Sequence, residues 1–247
     1  MNQLKKLLSY FIPITIEKRK GSLNAYLEVQ HYKGKLLLNA ENVNYSFGGM
    51  HKLFDALFQK TRISQYEFKS VLILGMGAGS NIKLLIDKYQ FTGSITAVEK
   101  DEVVIELARK HFNMDQFHSL EIIHADAFDF ARTTENKYDL IISDLFIEAN
   151  VPAIFSSPEY LSNLKRISNT HSCLIYNKMT EDPLHKKEVA VLLKRLQQLF
   201  PGTKIHKLYS AGFENSLVFY NTLLKKSTSL NNQSSEHLAG QSVVSLD

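Results

Sequence analysis

The chain of 247 residues has little cysteine, no tryptophan and no long apolar run. Cys173 is its single cysteine, so the chain can form neither an internal disulfide nor a thiolate metal cluster. This absence predicts a reducing, cytoplasmic location and no metal centre. No stretch of about 18 uninterrupted apolar residues occurs, which argues against a membrane-spanning helix.

A strong excess of charge of one sign is also missing. The chain carries 29 basic and 25 acidic residues, which gives a net charge of +4. Dedicated nucleic-acid-binding proteins concentrate basic residues in a patch or stripe, and this balance provides no such excess. We therefore expect a small molecule, and not nucleic acid, as the partner. With 44% hydrophobic residues, the chain has enough apolar material for a globular core.

The N-terminal residues combine a basic flank with an apolar stretch at residues 7–16. Pro13 interrupts that stretch, and the charged residues 17–20 follow it without a small-residue cleavage site. These features argue against a signal peptide.

Residues 21–46 are predicted to form a small β-module. Two strand-like segments, residues 25–30 and 35–39, flank a tight turn at Gly34. An amphipathic helix is predicted next, because apolar residues recur at helical spacing at Leu53, Phe54, Leu57 and Phe58. We assign residues 1–62 to this module and its linking helix.

The chain from residue 63 to residue 226 alternates between strand and helix patterns. The predicted strands are residues 70–74, 94–98, 120–124, 138–143, 173–177, 204–209 and 216–220. The predicted helices are residues 81–89, 102–111, 128–132, 158–167 and 184–200. This alternation predicts a Rossmann-like α/β domain with a parallel sheet and helices on both faces. The last two strands lie close together and predict an antiparallel hairpin at the sheet edge, an ending typical of methyltransferase sheets.

The final residues, 227–247, are rich in Ser, Asn and Gln. Such a segment buries too little apolar surface to offset the entropy lost on ordering. We therefore predict a mobile tail.

A glycine-rich loop follows the first strand of the predicted sheet. Gly75, Gly77 and Gly79 alternate there before a helix begins. Glycine allows the backbone to approach a ligand closely, and a helix N-terminus offers unpaired N–H groups. The nicotinamide dinucleotide pattern requires a further glycine where this chain has Ser80, so it fits poorly. A packing turn without a ligand is the alternative interpretation.

Acidic residues follow the next three strands, at the same predicted edge of the sheet. Glu99 can accept hydrogen bonds from ribose hydroxyls, and Asp126 can accept one from the adenine amine. The alternatives are a solvated strand-end acid for Glu99 and a helix cap for Asp126. Together with the glycine loop, the two acids predict an adenosyl ligand. Asp144 is a candidate orienting acid or base, with a loop cap as its alternative.

The order and spacing of these motifs resemble the spermidine synthase family, aminopropyltransferases on the class I S-adenosylmethionine-dependent methyltransferase fold. The resemblance spans about residues 22–222. The segments that carry it are residues 27–29, 34–36, 51, 75–79, 98–104, 126–128, 138–144, 152–153, 155–160, 200–201 and 209–212.

The resemblance implies a set of site residues. It implies that an adenosyl cofactor binds to Gly75, Gly77, Glu99, Asp126 and Ala127. The neighbouring Ala78, Gly79 and Lys100 are further candidate cofactor contacts. The resemblance also places Asp144 at the reaction centre. His51 is a second candidate catalytic residue because histidine titrates near neutral pH, with an ordinary surface histidine as the alternative.

Three positions depart from the family's pattern. The family's glycine loop contains an aspartate that holds the amine of decarboxylated S-adenosylmethionine, and the corresponding residue here is Ala78. The family's Tyr-His-Glu motif becomes Met-His-Lys, which ends at Lys52. The family's acid three positions after Asp144 becomes Ile147, and Glu148 next to it is in a different register.

These departures predict that intact S-adenosylmethionine binds better than its decarboxylated form, since the N–H groups of the glycine loop can receive its carboxylate. Our main hypothesis from the sequence is therefore methyl transfer to an unidentified neutral or anionic small molecule. Aminopropyl transfer, which makes polyamines, is the first alternative. A catalytically inactive nucleotide-binding module is the second. The family's pairing through the N-terminal module implies a homodimer.

Overall fold

The computed structural model describes residues 7–40, 44–146, 151–180, 183–210 and 213–223. The predicted tail, residues 227–247, lies outside these described residues. Within them, the chain forms a four-stranded sheet and a seven-stranded sheet. None of the helices in this part of the chain is long and apolar enough to cross a membrane.

The smaller sheet is antiparallel and contains four consecutive strands. They are β1 (Ile14–Arg19), β2 (Leu27–Tyr32), β3 (Lys35–Ala40) and β4 (Asn44–Ser46). Lys33 and Gly34 connect β2 to β3 with φ values of 49° and 75°, as the favoured two-residue hairpin turn requires. The predicted β-module is confirmed. β1 was not predicted. It directly follows Pro13, and three of its six residues are charged, so its apolar pattern is weak.

Helix α1 (Gly49–Thr61) connects the two sheets. Its buried residues are Leu53, Phe54, Leu57 and Phe58, as the helical spacing predicted. The helix ends at Arg62, which has a left-handed backbone conformation with φ of 52°.

The larger sheet has the strand order β10-β11-β9-β8-β5-β6-β7. Its strands are β5 (Ser70–Leu74), β6 (Ser94–Glu99), β7 (Leu120–His124), β8 (Tyr138–Ser143), β9 (Ser168–Met179), β10 (Lys204–Ser210) and β11 (Phe213–Asn221). Strands β5 to β9 are parallel, whereas β11 is antiparallel to both β9 and β10. The predicted parallel sheet and its terminal hairpin are confirmed.

Helices connect the strands of this sheet. They are α2 (Ser80–Lys83), α3 (Glu102–Phe112), α4 (Ala127–Thr133), α5 (Pro158–Arg166) and α6 (Pro183–Leu199). α2 continues as a wider π-helical turn over Leu84–Lys88, so the predicted helix is present but is not a regular α-helix throughout. Asp101 and Ser157 cap α3 and α5 through their side-chain oxygens.

Two apolar cores cover the two faces of the larger sheet. Along β5, Val71 and Ile73 belong to one core, and Leu72 and Leu74 belong to the other. This alternation follows from the strand geometry, which directs successive side chains to opposite faces. Because both faces are covered, the strands are nearly continuous apolar runs, and the polar residues lie where the strands end.

Candidate active site

The carboxyl ends of β5, β6, β7 and β8 meet at one cleft. Residues 75–77, 99–100, 125–127 and 144–146 line it, one group from each strand end. Met50 and Phe54 of α1, together with Ile154 and Phe155, form an apolar part of the wall. The cleft therefore lies at the edge where parallel α/β sheets bind ligands.

Gly75 allows β5 and β8 to approach each other closely at the base of the cleft. Its φ is 86°, in the left-handed region that favours glycine. A Cβ atom at this position would lie 2.2 Å from the backbone oxygen of Asp144. The glycine is therefore required by the packing of two strand ends.

The N–H groups of residues 75–79 are all hydrogen-bonded within the protein. The bonds are Gly75 and Met76 to the oxygen of Val98 at 3.0 and 3.1 Å, Gly77 to Glu99 Oε2 at 2.9 Å, Ala78 to Ser46 Oγ at 2.8 Å, and Gly79 to the oxygen of Met76 at 3.1 Å. The geometry therefore gives no support to the expectation that these N–H groups receive the carboxylate of intact S-adenosylmethionine. Protein acceptors already occupy them.

Ala78 and Gly79 lie behind the cleft instead of lining it. Ala78 is fully buried and belongs to an apolar core. A Cβ atom on Gly79 would lie 2.3 Å from Met114 Sδ, so this glycine is packed against the neighbouring segment. The geometry thus gives no support to these two residues as cofactor contacts, whereas Gly75 and Gly77 do line the cleft.

Glu99 lines the cleft from the end of β6 and is only 5% exposed. Its Oε2 accepts from the N–H of Gly77, and its Oε1 accepts from those of Lys100 and Asp101 at 2.9 and 3.1 Å. Burial raises the pKa of Glu99, and these three N–H groups oppose that shift. The carboxylate is therefore fixed in place and is not the solvated strand-end acid of the alternative interpretation.

Asp126 and Lys100 form a pair at the rim of the cleft, where Ala127 also lies. Asp126 Oδ2 is 2.9 Å from Lys100 Nζ, and its Oδ1 accepts from the N–H of Phe128 at 2.8 Å. Burial by itself would raise the pKa of Asp126, but Lys100 and the helix N–H groups lower it overall. Asp126 therefore caps α4, as the alternative interpretation proposed, while its carboxylate also faces the cleft.

Asp144 lies at the base of the cleft, directly after β8. Its Oδ1 accepts a hydrogen bond from Asn177 Nδ2 at 2.9 Å, and Asn81 lines the same cleft. Burial raises the pKa of Asp144 to about 7, although both carboxamides act in the opposite direction. A carboxyl group with this pKa can exchange a proton at neutral pH.

His51 lines a second cavity, which is separate from the cleft. Successive residues of a helix point about 100° apart, so Met50 faces the cleft while His51 faces the cavity beside Lys35 and Lys83. Burial and then the charge of Lys35 lower the pKa of His51. The structure therefore does not bring His51 together with Asp144, and its predicted catalytic role has no geometric support.

Lys52, another departure from the family's pattern, is exposed on α1 and does not line the cleft. Ile147 and Glu148 lie outside the described residues.

Asn81 and Asn177 were not predicted from the sequence as site residues. Both are buried, at 4% and 0% exposure; Asn177 hydrogen-bonds to Asp144, and both carboxamides lower the pKa of Asp144. A signal was available for Asn177, since it is a polar residue at the end of an apolar strand, as Glu99 is. Asn81 gave a weaker signal, because asparagine is common near the first turn of helices. Within the described residues, no group of His, Cys, Asp and Glu could hold a metal ion.

Curated relatives of the chain are aminopropyltransferases. The polyamine aminopropyltransferase of Sulfolobus acidocaldarius is 23% identical over 210 residues, which cover 81% of this chain and 68% of that protein. The polyamine aminopropyltransferase of Clostridium botulinum is 29% identical over 150 residues, which cover 58% of this chain and 51% of that protein. The chain thus matches about half the length of the second relative.

Solved structures share the fold. Spermidine synthase from Thermotoga maritima has a TM-score of 0.64 at 17% identity, covering 84% of this chain and 72% of that one. Human methyltransferase-like protein 13, solved in complex with SAH, has a TM-score of 0.55 at 25% identity, covering 74% and 86%. These similarities confirm the predicted methyltransferase-type sheet.

A family model settles the membership of the chain. The spermine/spermidine synthase domain matches residues 55–232. The names of the curated relatives do not support our main hypothesis of methyl transfer and favour its first alternative. Because the family model covers well over half of the chain, the chain belongs to the spermine/spermidine synthase family.

Proposed function

We propose that this protein transfers an aminopropyl group from decarboxylated S-adenosylmethionine to an amine acceptor. The family match and the curated polyamine aminopropyltransferases support this reaction. The human neighbour solved with SAH supports an adenosyl group in the cleft. This proposal replaces methyl transfer, whose structural argument depended on free N–H groups in the glycine loop.

The charge of the cleft is the observation that carries the proposal. Among its described lining residues, Glu99, Asp126 and Asp144 are acidic, and Lys100 is the basic residue. Asp126 is paired with Lys100, so the net negative charge comes from Glu99 and the partly ionised Asp144, and this charge attracts cations. The decarboxylated cofactor carries a sulfonium and an ammonium, so it suits this charge. Intact S-adenosylmethionine adds a carboxylate, and the N–H groups of the glycine loop are already engaged.

The residues of the cleft fit an adenosyl group. Backbone N–H groups orient the Glu99 carboxylate. Its Oε1 accepts two of them, whereas Oε2 accepts one and keeps acceptor capacity for a ribose hydroxyl. Asp126 lies at the next strand end, within the same cleft, where an adenine amine can donate to it. Ala125 and Ala127 have small side chains that leave space for a planar ring.

Asp144 is the group we assign to proton transfer. When bound, the decarboxylated cofactor supplies an electrophilic carbon next to its sulfonium sulfur. The acceptor nitrogen forms a bond to that carbon, the carbon–sulfur bond breaks, and 5′-methylthioadenosine leaves. Before this attack the acceptor ammonium must lose a proton to free the lone pair of its nitrogen, and the Asp144 carboxylate accepts that proton. Its pKa of about 7 suits this role, because a substantial fraction of the group is ionised at neutral pH.

The test is to identify the product. The purified chain is incubated with putrescine, spermidine or a monoamine, and with either intact or decarboxylated S-adenosylmethionine. We expect 5′-methylthioadenosine and an aminopropylated amine from the decarboxylated cofactor, and loss of that product in Asp144→Asn. S-adenosylhomocysteine and a methylated product would contradict the proposal in favour of methyl transfer. Lack of turnover with every pair would favour the inactive module.

A further inference from the structure

We infer that Asn81 and Asn177 are positioning residues for Asp144, whose carboxyl group they hold at the base of the cleft. The inference rests on the proposed function in one respect, namely that Asp144 accepts the proton. The burial of the two carboxamides and their interaction with Asp144 support this role.

The two asparagines reach Asp144 from different elements. Asn81 is in the first turn of α2, directly after the glycine loop, and Asn177 is on β9, beside the end of β8. Asn177 Nδ2 donates to Asp144 Oδ1 at 2.9 Å, and the Asn81 carboxamide lines the same cleft and lowers the pKa of Asp144. A carboxylate held from two elements keeps a single orientation, because neither donor can move without its own helix or strand.

The cost of these two residues argues against a purely structural role. In the described part of the protein, Oδ1 of Asn81 and Oδ1 of Asn177 are both buried without a hydrogen-bond partner. A buried polar atom without a partner lowers stability, so an apolar side chain of similar size would suit the fold better. Such costs are typical of residues that serve a site. We attribute this cost to the interaction of the two carboxamides with Asp144.

No other charge in the described residues accounts for the ionisation of Asp144. Glu99, Lys100 and Asp126 share the cleft but lie at the ends of other strands. On β9, Lys178 forms an ion pair with Glu188 of α6 at 2.7 Å.

On the side of α2, Lys83, Asp87 and Lys88 line the second cavity. The groups that shift the pKa of Asp144 are its burial, which raises it, and the carboxamides of Asn177 and Asn81, which lower it. The two asparagines are therefore what keeps a buried carboxyl group from remaining protonated at neutral pH.

The loss of either carboxamide is expected to change the pKa of Asp144 in one direction. A donor to the carboxylate favours the ionised form, so its removal raises the pKa of Asp144 and leaves less base at neutral pH. Asn81→Leu and Asn177→Leu are each expected to raise this pKa by about one unit. Turnover at pH 7 would then fall about fivefold and recover at higher pH, because the ionised fraction falls from about one half to one tenth.

The test measures the pKa of Asp144 by carbon-13 NMR of its carboxyl group in the full chain, with Asp144→Asn to assign the signal. Asn177→Gln keeps a carboxamide and is expected to restore most of the wild-type value. Asn215→Leu is the matched control, since Asn215 is also a buried strand residue whose Oδ1 has no partner among the described residues. Because Asn215 does not bond to Asp144, the control is expected to leave the pKa unchanged.

The outcomes separate this inference from the proposed function. If a leucine variant does not fold, Asn81→Ala and Asn177→Ala remove the same donors with a smaller change in shape. An unchanged pKa in the folded variants, or an equal rise in Asn215→Leu, would overturn the inference. If the wild-type protein makes no aminopropyl product, the proposed function fails. The NMR titration still decides whether the two asparagines control Asp144.

Discussion

At the residue scale, Glu99 has a structural role that the sequence did not indicate, in addition to its place in the cleft. Its carboxylate accepts from the N–H groups of Gly77, Lys100 and Asp101, and so it stabilises the glycine loop and the turn after β6. The same carboxylate lines the cleft. A strand-end acid held by backbone donors is oriented before a ligand arrives, which reduces the entropy lost on binding.

We predict that Glu99→Ala weakens binding of decarboxylated S-adenosylmethionine by about 1.5 to 3 kcal/mol, since a hydrogen bond to a charged group is lost. Calorimetry measures this loss. The matched control is Asp139→Ala, because Asp139 also accepts backbone N–H groups, from Lys69 and Ser70 at 2.7 and 3.1 Å, but does not line the cleft. Equal affinity in wild type and Glu99→Ala would refute the ribose assignment. Equal losses of binding free energy in Glu99→Ala and Asp139→Ala would also refute this assignment.

At the element scale, the cleft exists because strand ends pack closely. β5 and β8 are hydrogen-bonded neighbours, and the N–H of Asp144 donates to the oxygen of Leu74 at 2.9 Å. Gly75 follows Leu74, and the absence of its side chain allows the backbone of Asp144 to lie against it. The position of the proposed proton acceptor therefore depends on a glycine in the neighbouring loop.

We predict that Gly75→Ala lowers the free energy of unfolding more than Gly202→Ala. Both glycines have φ near 90°, so either alanine costs about 1 to 2 kcal/mol in backbone conformation. A Cβ atom on Gly202 would have no atom within 4 Å, whereas one on Gly75 would overlap Asp144. Overpacking should add about 1 to 3 kcal/mol at Gly75. Urea unfolding measures both variants, and equal losses would contradict the close approach of β5 and β8.

At the scale of the whole molecule, the larger sheet was predictable because its strands are apolar on both faces and alternate with helices. Three of them, β5, β7 and β8, have the predicted bounds. β1 was missed because one face of its sheet is solvated, which leaves a weaker pattern. The homodimer, the boundary between residues 62 and 63 and the cytoplasmic location stay predictions.

The site was predictable only in part. Glu99, Asp126 and Asp144 could be found because a parallel sheet brings its strand ends to one edge. The direction of His51 depends on the rotation of α1 about its axis, and the partners of the loop N–H groups include Ser46, which is distant in sequence. The catalytic role of His51 depended on the first feature, and the hypothesis of methyl transfer depended in part on the second. Neither feature can be read from the sequence, because both are set by tertiary contacts.

The central claim is that the cleft selects a cofactor without a carboxylate. Isothermal titration calorimetry of the wild-type chain with decarboxylated and intact S-adenosylmethionine tests it most directly. The acidic lining and the engaged N–H groups of residues 75–79 predict that the decarboxylated form binds more tightly, by about tenfold or more, which corresponds to about 1.4 kcal/mol. Equal affinities, or tighter binding of intact S-adenosylmethionine, would contradict the account.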